Sequence, residues 1–129
     1  SSRGNNRRLV LVIDDESTVL DISRAYLEKA GFAVLTAEDG LKGIEILREN
    51  AAEVDCVILD YTMPGMGGRE TLSGIREIRS DVTVILSSGY DESEVVRQMD
   101  DGSVSGFIQK PYGGAALIER LRAAGVESR

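Results

Sequence analysis

Residues suited to binding a metal ion and a phosphoryl group stand at the downstream ends of four apolar runs. Asp14 and Asp15 come directly after LVLVI, and Asp60 ends the run VDCVILD. Ser88 ends VTVILSS, and Lys110 follows FIQ. If these runs are neighbouring parallel strands, their carboxyl ends meet at one edge of a sheet. The spacing therefore predicts an acidic cluster, a hydroxyl and an ammonium group at one point.

The three aspartates are typical ligands for a hard divalent cation. Carboxylates crowded together raise one another's pKa values, and a bound cation relieves that repulsion. Mg²⁺ prefers octahedral oxygen coordination and keeps several waters, so one or two carboxylates suffice. A single strand-end aspartate can equally be a helix cap. Asp60 and Lys110 at matching strand ends favour the metal interpretation for Asp14 and Asp15.

Asp60 is the best candidate for a nucleophile, because an aspartate that attacks phosphorus forms an acyl phosphate. Phosphoryl transfer is catalysed mainly by positioning and by neutralising charge. Lys110 would supply the cation, and Ser88 would donate its hydroxyl to a phosphoryl oxygen. Taken alone, Ser88 would more often be a plain turn residue.

The order of predicted elements brings these residues to one edge. Helical patterns follow each strand-like run, and Gly31 and the Asp91–Glu94 pair mark a helix end and a helix start. Strands are predicted at 8–14, 32–36, 54–60, 82–87 and 105–109, with helices at 17–30, 39–50, 69–79, about 91–99 and around 117–124. Five such units predict a mostly parallel sheet with helices on both faces, and in the order 2-1-3-4-5 the strand order reverses beside Asp14 and Asp60.

Composition limits the possible classes. The 129 residues predict one domain, and 42% hydrophobic residues without a run of about 20 predict no membrane insertion. The start of the chain has no signal-peptide core, so we expect a cytoplasmic protein. We assign residues 1–7 to a linker or a remnant of cloning, 8–125 to the domain and 126–129 to a tail.

Charge and two residue types exclude further functions. The net charge of −7, with no cluster of basic residues, argues against direct nucleic acid binding. The lone Cys56 rules out an internal disulfide and is predicted to be a small buried strand residue. The chain has no histidine, which excludes histidine acid–base catalysis and an internal phosphohistidine.

Four stretches in this order resemble the receiver domain of two-component response regulators. They are the aspartate pair, DYTMPGMGG, SSGY and FIQKPY, and the resemblance covers about residues 8–125. It implies a flavodoxin-like doubly wound (βα)5 sandwich with a parallel sheet of order 2-1-3-4-5. It also implies transfer of a phosphoryl group from a sensor histidine kinase or a histidine phosphotransfer domain.

The resemblance assigns roles to single residues. Asp60 would be the phosphoacceptor, and Mg²⁺ (or Mn²⁺) would be bound by Asp15, Asp60 and the backbone carbonyl of Thr62. Asp14 would contact the metal through water. Lys110 would match the lysine of the family.

The resemblance also implies a switch, with Ser88 as its hydroxyl residue and Phe107 as its aromatic residue. A simpler interpretation of Phe107 is a strand core residue. The resemblance implies a cis Lys110–Pro111 peptide, whereas the general preference of X–Pro bonds favours trans.

One position departs from the pattern. Many DNA-binding members have a glutamate before the leucine of the final helix, where it joins a dimer salt-bridge network. Here Ala116 precedes Leu117, which puts that mode of dimerisation in doubt. The SSGY and KPY stretches are more similar to receivers fused to hybrid sensor histidine kinases.

Two other classes fit less well. A phosphatase of the haloacid-dehalogenase type would need an aspartate two residues after the nucleophile, where this chain has Thr62. A flavodoxin-like carrier of flavin mononucleotide would need a phosphate-binding loop after the first strand. The chain has DDES there, which would repel phosphate in the absence of a metal.

Overall fold

The structure, a computed structural model, describes residues 7–61, 67–89 and 104–127. Within them the predicted strands and helices all occur, with ends that differ from the predicted ends by a few residues at most. They are β1 (Leu9–Ile13), α1 (Ser17–Lys29), β2 (Ala33–Ala37), α2 (Gly40–Glu49), β3 (Val54–Asp60), α3 (Gly68–Ile78), β4 (Thr83–Ser88), β5 (Gly106–Gln109) and α4 (Gly114–Ala123). The helix predicted near 91–99 lies outside the described residues.

The five strands form one parallel sheet in the order β2-β1-β3-β4-β5, as predicted. Ile13, the last residue of β1, pairs with Leu59, so the next residues of both strands are Asp14 and Asp60. Asp60 itself pairs with Ser87 of β4. The register therefore brings the carboxyl ends of the central strands to the same level.

In the part of the chain that the structure describes, two helices pack on each face of the sheet, because alternate strand residues point to opposite sides. Leu11 and Ile13 belong to the hydrophobic cluster under α2 and α3, and Val10 and Val12 belong to the cluster under α1 and α4. Cys56 is fully buried in the second cluster, as predicted. Among the described residues, no helix is both long enough and apolar enough to cross a bilayer.

Gly31 ends α1 as predicted, and Asp39 starts α2 with a cap that was not predicted. Gly31 follows α1 with a φ of 100°, a conformation that favours glycine, and its N–H donates to the carbonyl of Glu28 at 3.1 Å. Asp39 caps α2, since its carboxylate accepts the N–H of Lys42 at 2.8 Å. These ends fix where each helix starts relative to the strand before it.

The packed domain extends beyond residue 125, where we placed its end. Val126, assigned to the tail, is 5% exposed and its N–H donates to the carbonyl of Leu121 at 2.8 Å. The side chain is apolar, and the turn after α4 directs it into the cluster on that face. The next residue is also held, because Arg8 donates from Nε to the carbonyl of Glu127 at 3.1 Å.

Candidate functional site

The carboxyl ends of β1 and β3 form the acidic part of the site. Asp14 and Asp60 are 1% and 2% exposed, whereas Asp15 points to solvent. Carboxylate oxygens of all three lie within 4.8 Å of one another. Asp14 is held in place because its N–H donates to the carbonyl of Ala37 at 3.0 Å. The predicted cluster is therefore present, and two of its members are rigidly placed.

Lys110 brings a positive charge into this cluster from the end of β5. Its N–H donates to the carbonyl of Ser88 at 2.8 Å, which fixes the backbone beside β4. Its Nζ lies 3.0 Å from Asp14 Oδ2 and 3.2 Å from Asp60 Oδ2. The peptide between Lys110 and Pro111 is cis. The ammonium group thus bridges the carboxyl ends of β1 and β3.

A fourth carboxylate, which the sequence analysis did not single out, completes the surroundings of Lys110. Glu16 Oε1 lies 3.0 Å from Nζ, and the backbone N–H of Glu16 donates to Asp14 Oδ1 at 2.9 Å. The signal was the unbroken acidic run DDE after the first strand. Sequence alone does not show which of two adjacent exposed acids, Asp15 or Glu16, turns toward the lysine.

The electrostatics follow from crowding at a poorly hydrated edge. Burial, helped by the charge of Asp60, raises the pKa of Asp14 against the lowering effect of its hydrogen bonds. The pKa of Asp15 is also raised, by partial desolvation and then by Asp60 and Glu16. Burial alone would lower the pKa of Lys110, but the surrounding carboxylates outweigh it and raise that pKa. Lys110 is therefore charged throughout the physiological range.

The acidic cluster is chemically suited to Mg²⁺ or Mn²⁺. These cations take oxygen ligands, and the carboxylates of Asp14, Asp15 and Asp60 lie close enough together to share one ion. The raised pKa values of Asp14 and Asp15 come first from desolvation, and the neighbouring Asp60 adds to them. Thr62, whose carbonyl we expected to join them, lies outside the described residues.

The two proposed switch residues are both buried. Ser88 is the last residue of β4, is 0% exposed and pairs with Gln109 of β5. Phe107 is 8% exposed and packs in the cluster under α2 and α3. Its burial matches the simpler interpretation of a strand core residue, so packing alone does not assign it a switching role.

A neutral hydrogen bond joins the segment after Lys110 to α1. Tyr112 and Ser23 share a hydrogen bond of 3.0 Å between their hydroxyl oxygens, and Ser23 is fully buried. Burial raises the pKa of Tyr112. This contact was not predicted, since both residues were read only as members of a helical pattern and a motif.

A partly apolar groove of about 420 Å³ opens beside Lys110. Its apolar walls come from α1 and from the segment after β5, and include Val19, Ile22, Pro111 and Tyr112. Ile22 is 44% exposed, which is high for a large aliphatic side chain. Apolar surface is therefore exposed directly beside Lys110.

Comparison with known proteins identifies the family. The model of the response regulator receiver domain matches residues 10–122. The chain belongs to this family. A crystal structure of a response regulator receiver domain protein from Clostridium thermocellum superposes with a TM-score of 0.83 at 32% identity, covering 91% of this chain and 93% of that one. The fold predicted from sequence is therefore confirmed.

The curated relatives of this chain include two kinds of protein. It is 37% identical over 116 residues to the transcriptional regulatory protein KdpE of Mycobacterium tuberculosis, covering 90% of this chain and 50% of that protein. It is 34% identical over 103 residues to the sensor kinase CckA of Brucella abortus, covering 80% of this chain and 11% of that kinase. The chain thus spans half or less of these relatives. None of these matches supports the haloacid-dehalogenase alternative.

Proposed function

We propose that Asp60 accepts a phosphoryl group from a phosphohistidine on another domain. The observation that carries this proposal is the position of Lys110 Nζ, 3.2 Å from the Asp60 carboxylate and 3.0 Å from Asp14. A buried carboxylate with a fixed cation beside it suits in-line attack on phosphorus, where negative charge must be neutralised. The absence of histidine from the chain requires the donor to lie elsewhere.

In the transfer, a carboxylate oxygen of Asp60 forms a bond to phosphorus as the phosphorus–nitrogen bond of the donor breaks. The electron pair of that bond stays on the imidazole nitrogen. Because the other ring nitrogen of the donor carries a proton, the leaving group is a neutral imidazole. Lys110 donates to a phosphoryl oxygen, and Ser88 donates its hydroxyl to another. The product is an aspartyl phosphate. Water attack on the same phosphorus returns Asp60 to its carboxylate, so the domain catalyses only its own phosphorylation and dephosphorylation.

Mg²⁺, or Mn²⁺ in its place, fits the acidic cluster. Asp15, Asp60 and the carbonyl of Thr62 would bind it directly, and Asp14 would do so through water. When bound, the cation neutralises phosphoryl oxygens and orients them. Asp14 keeps its orientation through the N–H of Glu16 and through Lys110, which supports an outer position for it.

Phosphorylation is proposed to act through Ser88 and Phe107. Donation by Ser88 to the phosphoryl group would move the loop after β4 and change the packing of Phe107, shifting a two-state population. Nuclear magnetic resonance with beryllofluoride, a phosphoryl mimic, tests this. Large shifts at Phe107 and along 91–112, lost in Ser88→Ala, are expected. Shifts confined to the surroundings of Asp60 would exclude this face as the output surface.

The proposed donor is a sensor histidine kinase or a histidine phosphotransfer domain, acting in the cytoplasm. The groove beside Lys110 supports docking of such a partner, because Val19 and Ile22 offer apolar contact on the same groove as Lys110. Direct nucleic acid binding is not expected of this domain, given its net charge of −7. The output of the whole protein would be carried by another domain or partner.

Phosphorylation is measured by incubating the protein with acetyl phosphate and Mg²⁺ and determining its mass. We expect a stoichiometric gain of one phosphoryl group that is absent in Asp60→Asn and absent in EDTA. Asp55→Asn is the matched control, because Asp55 lies on the same strand at the opposite edge, where its carboxylate accepts the N–H of Leu9 at 2.8 Å. Label that persists in Asp60→Asn, or that forms equally well in EDTA, would refute the proposal.

A further inference from the structure

The three carboxylates around Lys110 differ sharply in their freedom to move. The side chains of Asp14 and Asp60 are 2% exposed, whereas that of Glu16 is 61% exposed. An ammonium group has three N–H donors, and the distances of 3.0, 3.0 and 3.2 Å supply one carboxylate for each. A phosphoryl oxygen that binds Lys110 must therefore share a donor or displace one of these partners.

Glu16 is the partner that can be displaced. Asp14 is held by the Glu16 N–H, which donates to Oδ1 at 2.9 Å, and by its own N–H, which donates to the carbonyl of Ala37. Its buried carboxylate therefore cannot turn away from Lys110 into water. Asp60 carries the phosphoryl group in the proposed reaction and stays by necessity. The Glu16 side chain already lies largely in water, where an exposed ion pair is worth little and is easily broken.

We propose that Glu16 is a positioning residue that occupies Lys110 and thereby restrains binding of the phosphoryl group. This inference rests on the proposed function, since it concerns the same lysine. Two effects of Glu16 act in the same direction. Its carboxylate occupies a donor that the phosphoryl oxygens need, and its negative charge stands next to a site that binds an anion. Glu16 thus sets how readily the domain enters and keeps its phosphorylated state.

The test is a titration with beryllofluoride at saturating Mg²⁺, followed by fluorine nuclear magnetic resonance of the bound mimic. Glu16→Gln has nearly the same shape but lacks the charge, and we expect it to bind the mimic about 3- to 10-fold more tightly than the unmodified protein. The dissociation constant for Mg²⁺ is measured separately for each variant, so that every beryllofluoride titration is carried out at saturating Mg²⁺.

The matched control is Glu45→Gln. Glu45 is 58% exposed and pairs with Lys42 at 3.4 Å, so the change removes the same charge from a similar ion pair on α2. We expect its affinity for beryllofluoride to equal that of the unmodified protein. A gain as large as that of Glu16→Gln would show that net charge, and not the contact with Lys110, is responsible.

A double variant shows whether Glu16 acts through the lysine. We expect Lys110→Ala alone to weaken binding of the mimic. Adding Glu16→Gln should then bring a smaller gain than it brings in the unmodified protein, because only the relief of charge repulsion remains. An equally large gain without Lys110 would overturn the positioning role.

The outcomes separate this inference from the function on which it rests. If the unmodified protein does not bind beryllofluoride with Mg²⁺, the proposed function fails. If it binds the mimic and Glu16→Gln binds equally or less tightly, only the role given to Glu16 is overturned.

Discussion

The two edges of the sheet both hold a long cationic side chain among oxygen atoms, but with different results. At the amino-terminal edge, Arg79 donates to the carbonyls of Ala51 and Val54, the latter at 3.1 Å, and to the carboxylate of Asp81 at 2.9 Å. At the carboxyl-terminal edge, Lys110 faces three carboxylates at 3.0 to 3.2 Å.

The difference lies in how completely charge is balanced. Arg79 supplies the donors for carbonyls before and at the start of β3, and its charge is paired with the carboxylate of Asp81 in the loop before β4. Around Lys110 one positive charge stands among Asp14, Glu16, Asp60 and the nearby Asp15, so the edge retains excess negative charge. Such an edge favours the approach of a cation. The cation at Arg79, whose charge is paired, serves to stabilise the fold. The acidic cluster around Lys110, which has excess negative charge, can still bind a further ion.

The sharpest way to break this comparison is to remove Lys110. We expect Lys110→Ala to slow labelling of Asp60 by acetyl phosphate about 100-fold or more, the usual cost of losing one fixed donor to a transition state. Lys110→Arg should not restore the rate, because a guanidinium is a wide planar fork and not a point charge. The rate is measured by mass spectrometry over time. Labelling of Lys110→Ala at the unmodified rate would show that Lys110 has no role in the reaction.

Removing Arg79 should affect stability instead. We expect Arg79→Ala to lower the free energy of unfolding by about 1–3 kcal/mol, since the carbonyls of Ala51 and Val54 lose a donor in a partly buried setting. Denaturant titration measures this loss. Labelling of Asp60 per folded molecule should not change. A slower reaction in a fully folded Arg79→Ala protein would mean that the two edges are not independent.

Magnesium should stabilise the carboxyl-terminal edge in a pH-dependent way. The pKa values of Asp14 and Asp15 are raised in the folded state, so the native protein binds protons more readily than the unfolded chain. Without metal, stability therefore rises as pH falls from neutral toward these raised pKa values and beyond them toward the unfolded pKa near 3.8. At neutral pH, Mg²⁺ at ten times its dissociation constant adds about 1.4 kcal/mol.

Thermal melting with and without Mg²⁺ at pH 5 and pH 7.5 measures this effect. The shift should be larger at pH 7.5, where fewer protons compete with the metal. Asp15→Asn is expected to weaken the shift and to reduce the pH dependence in EDTA. Equal shifts in the two proteins would contradict the role of Asp15 as a ligand.

The smallest effect is expected for the neutral contact at the charged edge. Ser23→Ala and Tyr112→Phe each remove the hydrogen bond of 3.0 Å and should cost about 0.5–1.5 kcal/mol of stability, with labelling of Asp60 unchanged. The pKa of Tyr112 is raised by burial, so the native state holds its proton more tightly. Stability should therefore fall as pH rises above the unfolded pKa of 10, and less steeply in Tyr112→Phe.

Denaturant titrations at pH 7 and pH 10.5 measure both expectations. A loss of phosphorylation in Ser23→Ala would show that this neutral contact also takes part in the reaction, and that charged groups alone do not set the rate.

The sequence predicted what depends on periodicity and strand order. β3 occupies the predicted residues 54–60. A strand covered by helices on both faces must be apolar along most of its length, so the ends of the apolar run mark the ends of the strand. The alignment of Asp14 with Asp60 followed from the parallel order, and a register irregularity between Leu9 and Val10 takes up the extra residue of β3.

The contacts of long side chains were not predictable in this way. Arg79 and Glu16 each have several rotatable bonds, and their partners come from loops whose paths depend on packing. Arg79 was read only as the end of a helical pattern, although it joins the loops before two strands. The burial of Val126 was missed for a related reason, since a turn after α4 and not a periodic pattern carries it inward.

The contact between Arg8 and the carbonyl of Glu127 has a consequence for how this unit combines with others. Arg8 precedes β1, so both residues lie at the sheet edge away from Asp60. The two ends of the domain, as far as the structure describes it, therefore lie close together and away from the edge that carries Asp60. Fusion of the domain to either end of another protein, or insertion within one, would therefore leave the edge with Asp60 accessible to a partner.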